Sequence, residues 1–566
     1  MKRIGIRILP LLLAVALLLT GCSGIDFNQL MGIMNAQLAT PFSDMQYTRP
    51  DMDELEEMLQ QCCQQAQSQT NANALAEKAL EFYGLYNRFY TQLNLATIYY
   101  FKDMTDSYWE KEYTFCQGQI STAEAALEEL FCTLAASPYR QELEEHTAFG
   151  EGFFDSYMGG GLWDEQFSKL MSREAELEQQ YYDLCAQAQD LPLYSNEFFQ
   201  QYSRPLGQLF VDLVKVRQEI AAYAGYEDYL SFAYDFYYYR DYSPAQIEAY
   251  LEEIQRELVP LYRQVEQDLD FGAEAGLSSE KETFAYVESF ARDMGGEFQN
   301  AFLLLKQATL YDISYSPQKY NGSFELYLTD YSVPYVFMSP VGSDQDKLSF
   351  AHEFGHFCSD YVAGGSIAGI DVAEVFSQAA EYLSLCYGDE AGELEKLKLR
   401  DGLRIFVEQA AYSKFEQQVY GLTGEALTVE KVEALYKEIG LAFGFDSWEW
   451  DSRDYVLIGH FYSDPLYVIS YVVSNDAALQ VYQLEKETPG AGRELLQAQL
   501  ATQEGQLLSF LKAAGLQNPL ERGRLAAVRE TFEKSLTENE DLLSSRSLLF
   551  IFVAPGKSAR RQYLPG

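Results

Sequence analysis

Over most of the chain, hydrophobic residues recur at spacings of three and four positions. This periodicity predicts amphipathic helices. At Ser243-Pro244-Ala245-Gln246 a capping-box sequence with proline at the first helical position predicts the start of another helix. The pattern therefore predicts a mostly helical protein. The clearest helical segments are residues 51–67, 71–100, 119–136, 165–189 and 206–224.

The hydrophobic period changes once, between residues 310 and 339. Residues 310–315, 323–328 and 334–339 are short segments rich in β-branched and aromatic side chains. Turn residues such as Pro317 and Asn321-Gly322 separate them. This pattern predicts a small β-sheet inside the helical protein.

The N-terminus has the pattern of a targeting segment. Lys2, Arg3 and Arg7 precede an apolar run over residues 8–19, which is too short to span a membrane comfortably. The run ends in Leu19-Thr20-Gly21-Cys22, which resembles the bacterial lipobox and implies lipid attachment to Cys22 after cleavage. An ordinary cleaved signal and an uncleaved anchor are the alternatives. No later run reaches about 18 apolar residues, so we expect the rest of the chain to be soluble.

The charge balance excludes several classes of partner. The 566-residue chain has 41 Lys and Arg against 85 Asp and Glu, a net charge of −44. This argues against binding to nucleic acid and to anionic lipid. Forty-three Tyr and 36 Phe indicate wide aromatic packing or an aromatic-lined cavity. The seven cysteines besides Cys22 form no CxxC pair, and we expect most of them to be buried and reduced.

The strongest chemical signal is His352-Glu353-Phe354-Gly355-His356. It lies on a predicted helix that Ser343 would cap and Gly364-Gly365 would end. Two histidines four positions apart project from one helix face, which suits two nitrogen ligands of one Zn²⁺. Glu353 can reach a metal-bound water and act as its base. A chance pair on an amphipathic helix is the alternative, but two of only four histidines occur here.

The next helix offers a third ligand. Asp371, Glu374, Gln378 and Glu381 lie along one stripe of it. Carboxylates on an otherwise apolar stripe need a partner, and a metal supplies one. We therefore predict Glu374 as a metal ligand and Glu381 as the residue that orients a ligand histidine. The alternatives are a capping box that uses Asp371 and Glu374, and a solvated helix face for Glu381.

A second candidate segment runs from His460 to Tyr471. Pro465 is predicted to begin a helix, which would place Tyr467 and Tyr471 on one face. Aromatic core packing is the alternative for the tyrosines. His460 is the third histidine in a suggestive motif, whereas His146 lies in a Glu-rich stretch.

Together these motifs resemble the oligoendopeptidase F branch of the thimet oligopeptidase family of zinc metallopeptidases. The resemblance covers about residues 205–536, with weaker helical similarity from about 50. Only 17 residues separate His356 from Glu374, fewer than the family usually shows, and Ser359 stands where many members carry a histidine. The segments that carry the resemblance are His352–His356, Glu374–Glu381, His460–Tyr462, Pro465–Tyr471, Arg217–Tyr229 and Asn518–Leu520.

The resemblance implies a mostly α-helical, elongated zincin-like body with a deep substrate channel and a small β-sheet beside the zinc site. It implies one Zn²⁺ per chain, with His460 and Tyr467 donating hydrogen bonds to the oxyanion. It also places an extended substrate beside the strand at residues 335–339. The implied site comprises metal ligands His352, His356 and Glu374, catalytic Glu353, His460 and Tyr467, substrate-binding Tyr471 and Phe337, and the orienting residue Glu381.

We therefore predict a surface-anchored zinc metalloendopeptidase that hydrolyses short unstructured oligopeptides. We expect a monomer that binds no nucleic acid and contacts the membrane only through its lipid, at the bacterial cell surface or the periplasmic face of a membrane. The alternative is a catalytically inactive peptide-binding lipoprotein on a metallopeptidase-like fold. The predicted divisions are a signal peptide (1–21), an anchor linker (22–45), an N-terminal helical region (46–195), a catalytic domain (196–536) and a tail of unknown role (537–566).

The anchor gives a direct test. Cys22→Ala should move the protein from the membrane fraction to the soluble fraction, because no other segment is predicted to insert. Fractionation of cells followed by a salt wash measures this. A variant that still pellets with membranes would contradict the lipoprotein interpretation.

Overall fold

The computed structural model describes residues 36–544, except for short internal segments. The predicted signal peptide, Cys22, most of the linker and the tail from residue 545 lie outside the described residues. The internal segments left out are residues 69–70, 147–148, 159–160, 189–190, 193, 268–275, 366–368, 389–392, 447–448, 501 and 503.

The N-terminal region packs its helices around a hydrophobic cluster of its own. Asp51 caps the first helix by accepting the backbone N–H groups of Asp53 and Glu54. The helix predicted from residue 119 begins earlier, because Asp106 caps the chain at Ser107. The helices of this region are α1 (Met52–Gln67), α2 (Ala72–Lys102), α3 (Ser107–Ala135) and α4 (Arg140–Glu144).

Seven helices lead from this region to the sheet. The predicted start at residue 206 is wrong, since α6 continues back through Pro205 to a cap at Ser195. The capping box at Ser243 is confirmed, with both reciprocal hydrogen bonds present. These helices are α5 (Glu165–Gln187), α6 (Asn196–Tyr223), α7 (Tyr229–Phe232), α8 (Pro244–Glu257), α9 (Val259–Gln267), α10 (Glu280–Met294) and α11 (Gly296–Ala308).

The sheet has three strands in the order β1-β3-β2, namely β1 (Tyr311–Asp312), β2 (Ser323–Leu328) and β3 (Val333–Met338). Strand β3 pairs in parallel with β1 and antiparallel with β2. The strand expected beside the substrate is therefore the central one. Phe337 is fully buried and stacks on Phe324 at 4.7 Å between ring centroids. The Phe337 side chain therefore belongs to the core, and the role predicted for this residue in substrate binding, through the backbone of its strand, stays a prediction.

The chain after the sheet is again helical, so the prediction of a mostly helical fold with a small sheet is confirmed. The last helix among the described residues covers Arg524–Ser544, so the predicted division at residue 537 falls within a helix. The helices are α12 (Gln345–Ala363), α13 (Ile370–Tyr387), α14 (Glu393–Arg404), α15 (Ala410–Val419), α16 (Val429–Ala442), α17 (His460–Ser463), α18 (Ile469–Glu487), α19 (Ala491–Leu500), α20 (Leu507–Ala514) and α21 (Arg524–Ser544).

Two further predicted helix starts, at Ser343 and at Pro465, are also wrong. Ser343 does not cap α12; instead Asp346 accepts the three backbone N–H groups that precede the helix, at 2.7–3.1 Å. Pro465 does not begin a helix, because the chain turns at Leu466 with φ of 65° and α18 starts at Ile469. Before α12 the side chain of Asp346 determines the backbone conformation, and after Pro465 the turn at Leu466 does. The sequence pattern reveals neither of them.

Two properties of the described residues bear on the sequence predictions. None of their helices is long and apolar enough to span a membrane. Their seven cysteines are all free thiols, and Cys62, Cys116 and Cys358 are buried.

Helices α12 and α13 pack closely at Gly355, inside the His-Glu-Phe-Gly-His motif. A Cβ atom at this position would lie 2.6 Å from Cα of Ser377 and 2.9 Å from the backbone oxygen of Phe376. Because both atoms belong to backbone, no side-chain rotation can relieve the overlap. Glycine at this position therefore sets the distance between the two helices that carry the predicted metal ligands.

Gly355→Ala should destabilise the protein by about 1–3 kcal/mol, because the added methyl group forces the helices apart. Gly84→Ala is the matched control, since Gly84 lies within a helix with no atom within 4 Å of the added Cβ. The control should be neutral or slightly stabilising. Thermal unfolding at a fixed scan rate measures both; equal midpoints for the two variants would refute the close-packing argument.

Candidate metal site

Helix α12 has an apolar face and, on its opposite side, a polar face. Phe350, Phe354 and Phe357 are fully buried, and Phe354 packs against Phe302 of α11 at 5.5 Å between ring centroids. The histidines lie on the other side, where their side chains are 18% and 15% exposed. The aromatic face thus fixes the rotation of the helix and leaves the two imidazoles accessible.

The polar stripe of α13 is buried, and each of its four members has a partner. Asp371 accepts hydrogen bonds from Tyr242 and Ser470, which excludes the capping-box alternative for this residue. Gln378 donates to the backbone oxygen of Tyr471 at 3.0 Å. These contacts tie α13 to α18 and to the chain before α8. The stripe comprises Asp371, Glu374, Gln378 and Glu381, which are 1–5% exposed.

The structure brings His352, His356 and Glu374 together, with one ligand atom from each lying within 4.8 Å of the others. His352 Nε2 is 3.4 Å from Glu374 Oε2, and His356 Nε2 is 3.7 Å from Glu374 Oε1. Ligand atoms around a tetrahedral zinc ion are roughly 3.3 Å apart when each bond is ~2.0–2.1 Å. The donor set and its spacing therefore fit zinc.

The charge around Glu374 also fits a cation. Its carboxylate is 1% exposed, and no Lys or Arg among the described residues forms an ion pair with it. Burial lowers the pKa of His356 to about 4, which leaves a neutral imidazole able to bind metal. Burial also lowers the pKa of His352, but the charges of Glu374 and Glu381 outweigh it and raise the pKa to about 9. The negative charges that raise this pKa would equally favour a bound cation.

Glu381 orients His352. Its Oε1 lies 2.8 Å from His352 Nδ1, and its Oε2 accepts a hydrogen bond from the buried Lys398 at 2.7 Å. A proton on Nδ1 leaves Nε2 free to face the cluster. The contact between Glu381 and His352 is the one predicted from the sequence. The contact between Glu381 and Lys398 was not predicted.

Glu353 lies between the two histidines in sequence and is 6% exposed. Burial raises the pKa of its carboxyl to about 8, and the charge of His352 counteracts part of this rise. A carboxylate in such a place is a stronger base than one in water. This property suits a group that accepts a proton near neutral pH.

The segment after α17 completes the site. Tyr471 OH lies 3.2 Å from His460 Nε2, and Asp464 lies 3.6 Å from the other ring nitrogen of His460. Tyr467 stacks on His460, but its hydroxyl donates a 2.5 Å hydrogen bond to Glu374 Oε1. Tyr467 is thus engaged with a predicted metal ligand, which differs from the oxyanion contact expected for it.

Arg217 is a buried residue in a segment that carries the family resemblance, but the sequence did not indicate what its side chain does. Its guanidinium donates to the backbone oxygens of Phe461 and Tyr462 and to the carboxylate of Glu174. It also donates to Tyr420 at 3.1 Å. The side chain is fully buried. Arg217 therefore holds the chain next to His460 in place.

A pair of carboxyl groups, Glu325 of β2 and Asp360 of α12, lies beside Glu353 and was not predicted. Burial raises the pKa of Glu325 well above its ordinary value, and the neighbouring charges of Asp360 and Glu353 raise it further. Burial raises the pKa of Asp360 to about 6, although a hydrogen bond with Glu325 lowers it. The two groups interact, and they connect the sheet to the helix of the predicted metal ligands.

Residues 42–157 match the family model of the Peptidase M3 N-terminal domain. The match lies in the region where the sequence motifs gave the weakest resemblance. No curated protein matches the chain. The matched residues precede the predicted metal site, so this comparison does not assign roles to individual site residues.

Solved structures share the fold over most of the chain. A protein named oligoendopeptidase F has 21% identity and a TM-score of 0.76, covering 88% of this chain and 99% of its own. PZ peptidase A with an inhibitor has 19% identity and a TM-score of 0.77, covering 88% of this chain and 99% of its own. A protein from Bacillus anthracis named oligoendopeptidase F has 19% identity and a TM-score of 0.76, covering 89% of this chain and 99% of its own. These similarities show the fold, and the domain match shows that residues 42–157 are similar to the N-terminal domain of M3 peptidases.

The metal site predicts about one tightly held zinc ion per chain. His356→Ala should lose most of it, because two ligands hold zinc far more weakly than three. His146→Ala is the matched control, since His146 lies in the N-terminal region, and it should retain the metal. Elemental analysis of purified proteins measures both, and full occupancy in His356→Ala would place the metal elsewhere.

Proposed function

We propose that the protein is a zinc-dependent endopeptidase that hydrolyses short, unstructured oligopeptides. The observation that carries the proposal is the cluster of His352, His356 and the buried Glu374, with Glu353 between the two histidines in sequence. The shared fold with proteins named oligoendopeptidase F supports it. A zinc ion held by the three ligands would supply Lewis-acid chemistry, polarising a peptide carbonyl and making water more acidic.

In this proposal Glu353 transfers the proton. Its carboxylate accepts a proton from the attacking water and passes it to the nitrogen of the departing peptide. The raised pKa that burial gives this carboxyl favours both steps, since the group can take up and release a proton near neutral pH.

His460 and Tyr471 are the proposed hydrogen-bond donors to the oxyanion. They form one hydrogen-bonded pair, and the His460 side chain is 18% exposed at the site. Donors aimed at a developing negative charge stabilise the transition state more than the substrate. Tyr467 contributes differently in this proposal, because it acts on Glu374 and not on the substrate.

Because β3 already pairs with β1 on one side and with β2 on the other, the substrate is proposed to lie extended along β2 and not beside residues 335–339 as expected from the sequence. Within the described sheet β2 is an edge strand, and an extended peptide can add to such an edge through backbone hydrogen bonds. Glu325 of this strand interacts electrostatically with Glu353, which supports a substrate path close to the proton-transfer group. Pairing with backbone favours unstructured peptides over folded proteins.

The proposed location is the outer face of a bacterial membrane, with the enzyme attached through Cys22 as a monomer. The lipobox-like sequence supports the anchor. The net charge of −44 favours capture of cationic peptides at low salt.

Glu353→Gln should abolish cleavage of fluorogenic peptides of about 5–15 residues while leaving zinc content and peptide affinity unchanged, because the amide cannot accept the proton. Glu219→Gln, an exposed glutamate on α6, is the matched control and should cleave at the wild-type rate. Peptide turnover with and without a chelator is the measurement.

Three outcomes would contradict the proposal. A wild-type protein that binds peptides without cleaving them would favour the peptide-binding alternative. Cleavage that survives both the chelator and Glu353→Gln would exclude the assigned chemistry. Rapid cleavage of a folded protein would exclude selection of unstructured peptides.

A further inference from the structure

We propose that Glu416 and Arg240 are positioning residues that hold Leu466 in a left-handed backbone conformation and so keep the Tyr467 hydroxyl on Glu374. The inference deepens the proposed function, because it assigns the groups that fix the third metal ligand. Neither residue touches the metal cluster. Both act through the backbone of the residue that precedes Tyr467.

Leu466 has an unfavourable backbone conformation. Its φ is 65°, in the left-handed region that side chains other than glycine rarely adopt. The residue is 2% exposed, so contact with water does not stabilise the turn. Such a conformation persists only where surrounding groups impose it, and these positions cluster at functional sites.

Buried side chains hold both polar backbone groups of Leu466. Its N–H donates a 2.6 Å hydrogen bond to Glu416 Oε1, and its backbone oxygen accepts one from Arg240 Nη2 at 3.0 Å. Glu416 is 1% exposed and the Arg240 side chain is fully buried. The preceding backbone oxygen, of Pro465, accepts a hydrogen bond from Tyr238. The turn is therefore fixed from two other elements of the fold.

The same contacts reach the helix of the third ligand. Arg240 donates to Ser470 Oγ at 2.9 Å, and Ser470 donates to Asp371 at 2.5 Å. Arg240 also lies 3.5 Å from Asp371, one turn before Glu374 on α13. The network thus fixes Glu374 and the turn before Tyr467 relative to each other.

The carboxyl of Glu416 is unfavourable for stability. Burial raises its pKa to about 8, and no donor among the described residues forms a hydrogen bond with Oε2. Burying a half-satisfied carboxyl costs free energy. An apolar residue would avoid that cost but could not accept the N–H of Leu466, which accounts for a carboxyl at this position.

The test measures zinc affinity by competition with a chromophoric chelator, alongside kcat and KM for a fluorogenic peptide. Glu416→Ala should weaken zinc binding by roughly 10-fold, as should Tyr467→Phe, because loss of a hydrogen bond to a ligand costs ~10–100-fold in metal affinity. Adding Leu466→Gly to Glu416→Ala should restore most of the affinity, since glycine adopts positive φ freely. Glu112→Ala, which removes a buried carboxyl of the N-terminal region, should leave zinc affinity unchanged.

Two results would overturn the inference. One is failure of Leu466→Gly to restore affinity. The other is a double variant, Glu416→Ala with Tyr467→Phe, whose loss of zinc affinity equals the product of the two single losses. Both substitutions should remove the same contact, so the double variant should lose no more affinity than one of them alone. If Glu416→Ala does not fold, Leu466→Ile replaces it: a β-branched side chain disfavours positive φ, and unchanged zinc affinity would refute the proposal. A wild type that binds zinc but cleaves no peptide would refute the proposed function, whereas the zinc measurements would still decide this inference.

Discussion

The carboxylate of Glu374 is the constraint on which the rest of the site depends. A buried anion is stable only when positive charge or hydrogen-bond donors surround it. Here two histidines of α12 and two hydroxyl groups, from Ser377 and Tyr467, surround the carboxylate. Bringing those groups together requires the close approach of α12 and α13 at Gly355 and the unusual turn before Tyr467.

Three buried cations of this acidic chain organise the site. Lys398 balances Glu381, Arg217 holds the backbone after His460, and Arg240 joins Leu466 to Asp371. Each cation connects elements that are distant in sequence. Buried polar contacts of this kind accept few alternative geometries, so they fix the relative positions of the helices more strictly than apolar packing does.

The sequence predicted the parts of the site that depend on local spacing. The spacing of His352 and His356, the stripe of α13 and most helices follow from periods of three and four residues. Arg217 could have been recognised, because it lies on the same helical stripe as Leu213, Val214 and Ile220. The order of the strands, the left-handed turn at Leu466 and the engagement of Tyr467 depend on contacts between distant segments, which periodicity does not encode. The region that matches the M3 N-terminal domain gave little indication of its family from the sequence, because it has helical periodicity but no chemical motif.

The buried carboxyl groups of Glu325 and Asp360 link the stability of the fold to pH. The pKa of Asp360 is about 6 in the folded chain, above its ordinary value of 3.8, so between these two values the folded protein retains a proton that the unfolded chain releases. Folding is therefore coupled to proton uptake, and the associated stability is present below the lower value and lost as the pH rises through the higher one. Lowering the pH from about 6 towards 3.8 thus strengthens the contact between β2 and α12, whereas neutral and alkaline conditions weaken it. The edge strand and the helix of the metal ligands are consequently held together more firmly in an acidic surrounding than in a neutral one.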